Sequence, residues 1–266
     1  MVMRDKTHHI VRKSIEVQHV TQQFKVGDEV VTALNDASLR IRPNSFNIIY
    51  GPSGSGKTTL LNVLAGISPP DTGKLTVHGH NIYELNDDEL AHFRAKHIGF
   101  VQQTSHWVQS LNVIENVAMP LYFLGYTRSY AKRVALRALE RVNMTAYAHK
   151  NPALLSGGEQ QRIAMVRALV NDPLFMIVDE PTGNLDTANG MALMKLLLDM
   201  QVHQKRTIIL VTHNMEYIGL ADQLFSIHDG NVETRSQHEI HTMTGALLRE
   251  TRDRIHYLKE IKSRAN

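Results

Sequence analysis

The chain has 266 residues, contains no cysteine and carries a formal net charge of +3 at pH 7. Without cysteine, disulfides and thiolate metal sites are excluded. No apolar run approaches the ~18 residues of a membrane-spanning helix. Residues 1–13 are too charged for a secretory signal. These properties indicate a chain that is soluble, cytoplasmic and long enough for one domain with an insertion.

The positive charge is concentrated at the two ends of the chain. Residues 1–13 and residues 246–266 each carry a net charge of +3, so residues 14–245 sum to −3. We interpret residues 1–13 as a basic tail, for which anionic lipid headgroups are one candidate partner. The mildly acidic body lacks the basic surface that follows a phosphate backbone, so we expect no nucleic-acid partner.

The first strand patterns lie before residue 80. Residues 14–20 alternate apolar and polar side chains, and residues 30–34 and 74–79 resemble two more strands. Such half-exposed segments predict a small antiparallel sheet at the N-terminus. Between them, the apolar run at residues 46–50 predicts a buried strand, and residues 59–65 predict a helix.

The segment between that buried strand and that helix fits the pattern G-x-x-x-x-G-K-[ST] of a phosphate-binding loop, and we call residues 51–58 the phosphate loop. Glycine at its tightest points lets backbone N–H groups turn toward a polyphosphate at a helix N-terminus. Lys57 is then expected to reach the β- and γ-phosphates, and the Thr58 hydroxyl to bind Mg²⁺. The nucleotide-binding residues expected here are Gly51, Pro52, Ser53, Gly54, Ser55, Gly56, Lys57, Thr58 and Thr59.

The middle of the chain is mostly helical in pattern, and strand–helix alternation resumes after it. The helical pattern covers about residues 87–150, with an interruption near residues 97–110. Continuous apolar runs at residues 175–178 and 207–211 indicate strands that are buried on both faces, as in a parallel sheet covered by helices. The sequence thus predicts an α/β fold of the P-loop NTPase type, with a mainly parallel sheet, an N-terminal antiparallel β subdomain and an inserted α-helical subdomain.

Two adjacent carboxylates follow the first of those buried runs. Asp179 and Glu180 should point to opposite sides of the strand end, because successive side chains alternate. Asp179 is therefore suited to hold Mg²⁺, and Glu180 to polarise the water that attacks the γ-phosphate.

A second glycine-rich turn precedes another predicted helix. Ser156, Gly157 and Gly158 lie just before Glu159, where that helix begins, and we call residues 156–158 the Ser-Gly-Gly turn. Its backbone N–H groups and the positive end of the helix dipole predict a second site for an anion.

In this order, these stretches resemble the ATP-binding subunit of ABC transporters over residues 14–232. Residues 51–58 match its Walker A motif, residues 175–180 its Walker B motif and residues 155–160 its signature motif. The resemblance implies ATP and Mg²⁺ as cofactors and ATP hydrolysis as the activity. It leaves residues 233–266 as a C-terminal extension, which we expect to be helical.

The resemblance also implies roles for single residues. Phe24 falls where an aromatic ring stacks on adenine, and Asp186 falls in the D-loop, which ties two nucleotide sites together. Gln103 falls on the Q-loop glutamine that senses the γ-phosphate, because counting back without a gap from the following helix favours it over Gln102. The implied catalytic residues are Lys57, Gln103, Glu180 and the switch histidine His213, and the implied Mg²⁺ ligands are Thr58, Gln103 and Asp179.

The resemblance further implies how the subunit would act. It predicts a head-to-tail homodimer with ATP between the phosphate loop of one copy and the Ser-Gly-Gly turn of the other, docked on integral membrane permease subunits at the inner face of the cell membrane. Residues 51–56 and 179–186 are similar to the lipoprotein-releasing, macrolide-exporter and FtsE-type branch, which favours export or extraction. The alternatives are an FtsE-like ATPase that transmits force without transport and a soluble ABC-type ATPase that acts on nucleic acid.

Overall fold

The structure is a computed structural model that describes residues 14–183 and 185–263. The predicted basic tail at residues 1–13 lies outside the described residues, as do Asn184 and residues 264–266. The described strands are β1 (Ile15–Val26), β2 (Glu29–Ile41), β3 (Phe46–Tyr50), β4 (Thr72–Val77), β5 (His80–Asn81), β6 (Ile98–Val101), β7 (Phe175–Asp179), β8 (Thr207–Val211), β9 (Gln223–His228) and β10 (Asn231–Arg235). The described α-helices are α1 (Lys57–Leu64), α2 (Asp87–His97), α3 (Val113–Phe123), α4 (Arg128–Arg141), α5 (Gly157–Leu169), α6 (Thr187–His203) and α7 (Gln237–Ser263).

The main sheet has the strand order β10-β9-β3-β8-β7-β6. Strands β9, β3, β8, β7 and β6 are parallel to their neighbours, and β10 pairs antiparallel with β9. Every residue of β8 is buried, because helices cover both faces of the sheet. The predicted α/β fold with a mainly parallel sheet is therefore confirmed.

The N-terminal strands form a separate antiparallel sheet with the order β2-β1-β4-β5. Strands β1 and β2 are longer than the sequence pattern predicts, since they extend to a hairpin turn at Gly27. The outer part of this hairpin is exposed on both faces and is held by backbone pairing and by the Gln23–Thr32 side-chain hydrogen bond of 3.2 Å. Residues 30–34, predicted as a strand, lie in β2, whereas the extension of β1 beyond residue 20 has no buried face of apolar side chains to indicate it.

The two sheets share one core, and the helical region has its own. Buried side chains of the antiparallel sheet and of α1 pack on one face of the main sheet, and α5, α6 and the end of α7 pack on the other. A third cluster joins α3, α4 and α5. The range 87–150 predicted for the helical insertion also contains β6, the edge strand of the main sheet, so the chain returns to the core between α2 and α3.

The C-terminal extension packs back on the main body. Residues 233–235, predicted to be helical, instead belong to β10, because their backbone pairs with β9. Leu258 of α7 is fully buried, and Lys262 forms an ion pair of 2.8 Å with Asp222. Within the described residues, no helix combines the length and the apolar character that a membrane crossing requires.

Candidate functional site

A cleft of about 420 Å³ lies where β3, β7 and β8 end. It is lined by the phosphate loop, which follows β3, by Asp179 and Glu180, which end β7, and by His213, which follows β8. Gln103, two residues beyond β6, also lines it. Carboxyl ends of parallel strands meet at one edge of a sheet, so residues distant in sequence converge here. The cleft thus contains all four residues predicted to be catalytic.

The phosphate loop is packed so closely that two of its glycines leave no space for a side chain. A Cβ atom at Gly51 would lie 2.1 Å from the Ile227 carbonyl oxygen, and one at Gly56 would lie 2.3 Å from that of Ala33. Gly56 also has a φ of 106°, which favours glycine. The loop is therefore pressed against β9 and β2, with its other side toward the cleft.

The first turn of α1 is chemically suited to an anion. Its N-cap is Gly56, so no side chain caps the first N–H groups of the helix, and the first turn contains no acidic residue. The Lys57 ammonium lies at the same place and donates to the carbonyl oxygens of Gly51 at 2.9 Å and Pro52 at 2.6 Å. Free N–H groups, the helix dipole and a lysine charge all favour a phosphate group here.

The two carboxylates at the end of β7 both line the cleft. The strand alternation assumed for them stops at Asp179, because β7 ends there and Glu180 is no longer extended. Burial, followed by the charge of Glu180, raises the pKa of Asp179, and the charge of Lys57 opposes the rise. Glu180 has a φ of 43°, a left-handed conformation that is uncommon for glutamate. Its N–H donates to the Val211 carbonyl oxygen at 2.9 Å, which holds the strained backbone against β8.

Glu180 forms a close pair with His213. The Nδ1 atom of His213 lies 2.8 Å from Oε2 of Glu180; the Glu180 side chain is 12% exposed and that of His213 is 70% exposed. A carboxylate held by an imidazole at the mouth of a cleft can accept a proton from water and remain oriented while it does so.

Gln103 lies between the cleft and a second, smaller cavity. This cavity has a volume of about 190 Å³ and is lined by Gln103, Glu180, Gly157, Gln160 and Gln161, among others. Gln103 and Glu180 therefore separate the phosphate loop from the start of α5.

The Ser-Gly-Gly turn begins α5 with a capping box. Ser156 donates its N–H at 2.7 Å and its hydroxyl at 2.9 Å to the Glu159 carboxylate, and it accepts the Glu159 N–H at 3.4 Å. The Tyr147 hydroxyl and then these Ser156 bonds lower the pKa of Glu159. The turn is thus fixed by its own chain before any partner is present.

Several predicted site residues lie outside the cleft. Of the residues that the structure describes, none in the Ser-Gly-Gly turn lines it. Asp186 caps α6 and accepts the Asn189 N–H at 2.8 Å, and Asn189 in turn bonds to Arg162 of α5. Phe24 is 45% exposed on the outer hairpin and does not line the cleft. Three residues of the phosphate loop itself, Gly51, Pro52 and Ser55, do not line the cleft either.

Sequence reasoning missed two residues that organise this region. Asn189 accepts a hydrogen bond of 3.0 Å from Arg162 of α5 and lies against Gly158, so it joins the Ser-Gly-Gly turn to Asp186. The spacing Asp186-x-x-Asn189 at a helix start was the available signal. Trp107, four residues after Gln103, bonds to Gln160 of α5 at 2.8 Å. As the only tryptophan in the chain, it could have drawn notice from composition alone.

Comparison with known proteins identifies the family. The family model of the ABC transporters matches residues 34–183. The macrolide export ATP-binding/permease protein MacB of Chlorobaculum tepidum is 40% identical over 82% of this chain and 33% of its own length. An ABC transporter ATP-binding protein of Thermotoga maritima is 38% identical over 84% of this chain and 95% of its own. The chain thus spans about a third of MacB but nearly all of the second relative.

Two solved structures of the ATP-binding cassette MJ0796 of Methanocaldococcus jannaschii are similar to the chain, each with a TM-score of 0.77. They are 35% and 33% identical to it, and they cover 82% and 84% of this chain and 96% and 99% of their own. Both are dimeric, and the second is a post-hydrolysis state bound to ADP and Pi. The resemblance noted from the motifs is confirmed. This chain belongs to the ABC transporter family and is of the type that binds and hydrolyses ATP.

Proposed function

We propose that the chain powers an export or extraction transporter by ATP-driven closure and reopening of a homodimer. The observation that carries the proposal is the division of the two anion sites. The cleft gathers the phosphate loop with Gln103, Glu180 and His213, whereas the Ser-Gly-Gly turn lies outside it. A second copy would supply the missing turn, so the nucleotide itself would join the two copies.

The residues of the cleft fit a nucleoside triphosphate with Mg²⁺. The glycine cradle, the uncapped helix start and Lys57 suit the phosphates. Thr58, Gln103 and Asp179 offer oxygen ligands of the kind that Mg²⁺ prefers, and the ion would supply charge neutralisation at the β- and γ-phosphates. No group of three or more His, Cys, Asp or Glu suited to a metal occurs in the described ranges.

Three side chains would carry the chemistry of hydrolysis. Glu180 would act as the general base on the attacking water, and His213 would keep its carboxylate oriented through the 2.8 Å contact. Gln103, between the two cavities, would sense the γ-phosphate and pass its presence to the helical region. Phe24, with its ring largely accessible, would stack on the adenine.

The homodimer would be arranged head to tail. In that arrangement the Gly157 and Gly158 N–H groups of one copy bind the phosphates held by the other, and Asp186 lies near the shared boundary. Ser156, whose own N–H is donated to Glu159, holds the turn in position. The dimeric state of the two similar cassette structures supports a dimer of this chain. Because ATP binds the closed pair more tightly than the open one, binding drives closure and hydrolysis releases it.

Integral membrane permease subunits are the proposed partners. The similarity to MacB, whose name joins an ATP-binding part to a permease, supports such a partner and a peripheral position on the inner face of the membrane. The helical region with the segment around Gln103 would receive the permease, since it is the part that responds to the γ-phosphate.

The variant Glu180→Gln tests this function. It should keep ATP binding, because Lys57 and the phosphate loop are unchanged, and lower the turnover by about 10²- to 10⁴-fold, the usual contribution of a general base. It should also accumulate an ATP-bound dimer, detectable by size-exclusion chromatography. Glu140→Gln, an exposed change on α4, is the matched control and should behave as the parent. A Glu180→Gln variant with near-parent turnover contradicts the proposal.

A further inference from the structure

Trp107 occupies the junction between the main body and the helical region. Its partly buried side chain packs against two hydrophobic clusters. One is the cluster of the main sheet with α5, α6 and α7, and the other joins α3, α4 and α5. It follows Gln103 by four residues in a segment without regular secondary structure. The sole tryptophan of the chain therefore links the segment at the cleft to the helical region.

One side of Trp107 holds the beginning of α5. The indole Nε1–H donates to the Gln160 side-chain oxygen at 2.8 Å. The Gln160 amide nitrogen in turn donates to the Leu155 carbonyl oxygen at 3.0 Å. Leu155 immediately precedes Ser156, so two hydrogen bonds lead from the indole to the Ser-Gly-Gly turn.

The other side of Trp107 is held by Arg167, in the last turn of α5. The Arg167 guanidinium carbon lies 4.5 Å from the indole ring centre, a cation–π distance. Arg167 also donates to the carbonyl oxygens of Ser105 and His106, just before Trp107. Burial lowers the pKa of Arg167 to about 10, which leaves it charged at neutral pH.

The contacts of Trp107 with Gln160 and with Arg167 lie about two turns apart on the same helix, α5. Gln160 and Arg167 are separated by seven residues of α5, roughly 10 Å along its axis. A single contact would allow α5 to pivot, whereas two contacts on one indole hold both its position and its direction. The segment after Gln103 and the helix that presents Ser156 are thus joined as one unit.

We propose that Trp107 is a positioning residue that couples the two ATP sites of the dimer. A displacement at Gln103, which serves one site, is passed through Trp107 to Ser156, which serves the other. The inference rests on the proposed function, because it requires the Ser-Gly-Gly turn to serve the partner's nucleotide. Its consequence is cooperative hydrolysis that depends on one indole N–H and one guanidinium.

Steady-state hydrolysis by Trp107→Phe tests the coupling. Phenylalanine keeps an aromatic ring for packing and for Arg167 but removes the N–H donor. The loss of one hydrogen bond should lower kcat by about three- to tenfold and bring the Hill coefficient for ATP close to one. Binding of ATP to the isolated monomer should stay within about twofold of the parent, because the cleft is unchanged.

Two further variants complete the experiment. Arg167→Lys keeps the charge but loses the planar fork, and it should lower the Hill coefficient in the same direction. Tyr126→Phe, which removes one hydroxyl group from an exposed aromatic ring between α3 and α4, is the control and should match the parent. Parent-like cooperativity in both Trp107→Phe and Arg167→Lys overturns the inference alone. A parent chain that does not hydrolyse ATP overturns the proposed function, and this inference with it.

Discussion

The two glycine-rich turns look alike in sequence but differ in what the fold demands of them. In the phosphate loop, a Cβ at Gly51 or Gly56 would lie 2.1 Å or 2.3 Å from a backbone oxygen. In the Ser-Gly-Gly turn, the atoms nearest to a Cβ at Gly158 would be side-chain atoms of Asn189, at 3.0 to 3.3 Å. The chain's own packing therefore requires glycine more strictly at positions 51 and 56 than at position 158.

The helices that follow these turns differ in a complementary way. The start of α1 has no side-chain cap and no carboxylate in its first turn. The start of α5 is closed by the reciprocal bonds of Ser156 and Glu159. The first turn is shaped by its own chain for a ligand, whereas the second is a completed helix start in which Gly158 packs against Asn189. A nucleotide carried by a second copy would give the small residue at this position a further reason.

Gly56→Ala should give the largest effect. The new Cβ would contact the Ala33 carbonyl oxygen, and alanine would be strained at a φ of 106°. We expect a loss of about 3 kcal/mol or more in the free energy of unfolding, together with loss of ATP binding. Gly54→Ala is the matched control, because Gly54 has a φ of 78° but open space around it, and it should cost only about 1 to 2 kcal/mol. Equal costs for the two variants, by denaturant unfolding, would show that packing is not the cause.

Gly158→Ala should give the opposite profile. The Asn189 side chain would have to shift by a few tenths of an ångström against its bonds to Arg162 and Asp186, so the free energy of unfolding should fall by about 1 kcal/mol, well below the cost of Gly56→Ala. The methyl group would crowd a nucleotide arriving from the other copy, and ATP turnover should fall by about tenfold or more. ATP binding by the monomer should be unaffected in a fluorescence titration. Full turnover in a well-folded Gly158→Ala variant would remove the distinction between the two turns.

Ser156→Ala should have a moderate effect on stability. It removes the N-cap oxygen of α5, which ordinarily contributes about 1 kcal/mol. Thr127→Ala is the control, because Thr127 is the N-cap of α4 but makes no capping hydrogen bond, so this change should be nearly neutral. The melting temperatures of the two variants distinguish an N-cap that makes a hydrogen bond from one that does not. The same loss in both would contradict the capping box as the reason.

A pH change should give the smallest effect, confined to the start of α5. The bonds from Tyr147 and Ser156 hold the pKa of Glu159 below its ordinary value. The unfolded chain therefore binds the proton first, so this stabilisation is complete above pH ~4.3 and is lost as the pH falls through the lowered pKa. Amide exchange protection at residues 157–160 should decrease in acid, while residues 57–60, without a carboxylate in their turn, should show no matching loss. Glu159→Gln should abolish the difference.

Sequence reasoning succeeded where one short segment determines the geometry. The phosphate loop spans eight consecutive residues, and the strand before it and the helix after it follow from local pattern. Glu180 and His213 could be placed together because both follow buried strands of a parallel sheet, whose ends converge. Their roles in catalysis stay predictions that the variants above would test.

Sequence reasoning failed where a contact depends on packing between distant segments. Trp107 and Gln160 are 53 residues apart, and no periodicity relates them. The outer β1–β2 hairpin has no buried face, so its length and the exposure of Phe24 left no apolar pattern to read. The short strand β6 lies in the interruption of the helical pattern near residues 97–110, but three apolar residues and one glycine are too few to identify a strand.

The backbone of Glu180 carries a consequence for how turnover is controlled. Its left-handed φ of 43° is held by the Val211 carbonyl oxygen, two residues before His213. The fold of a single copy therefore brings the base and the imidazole together before a second copy arrives, so this pair needs no further assembly. The timing of hydrolysis would then depend on the encounter of two copies. For the dilute protein, the rate should rise more steeply than in proportion to its concentration.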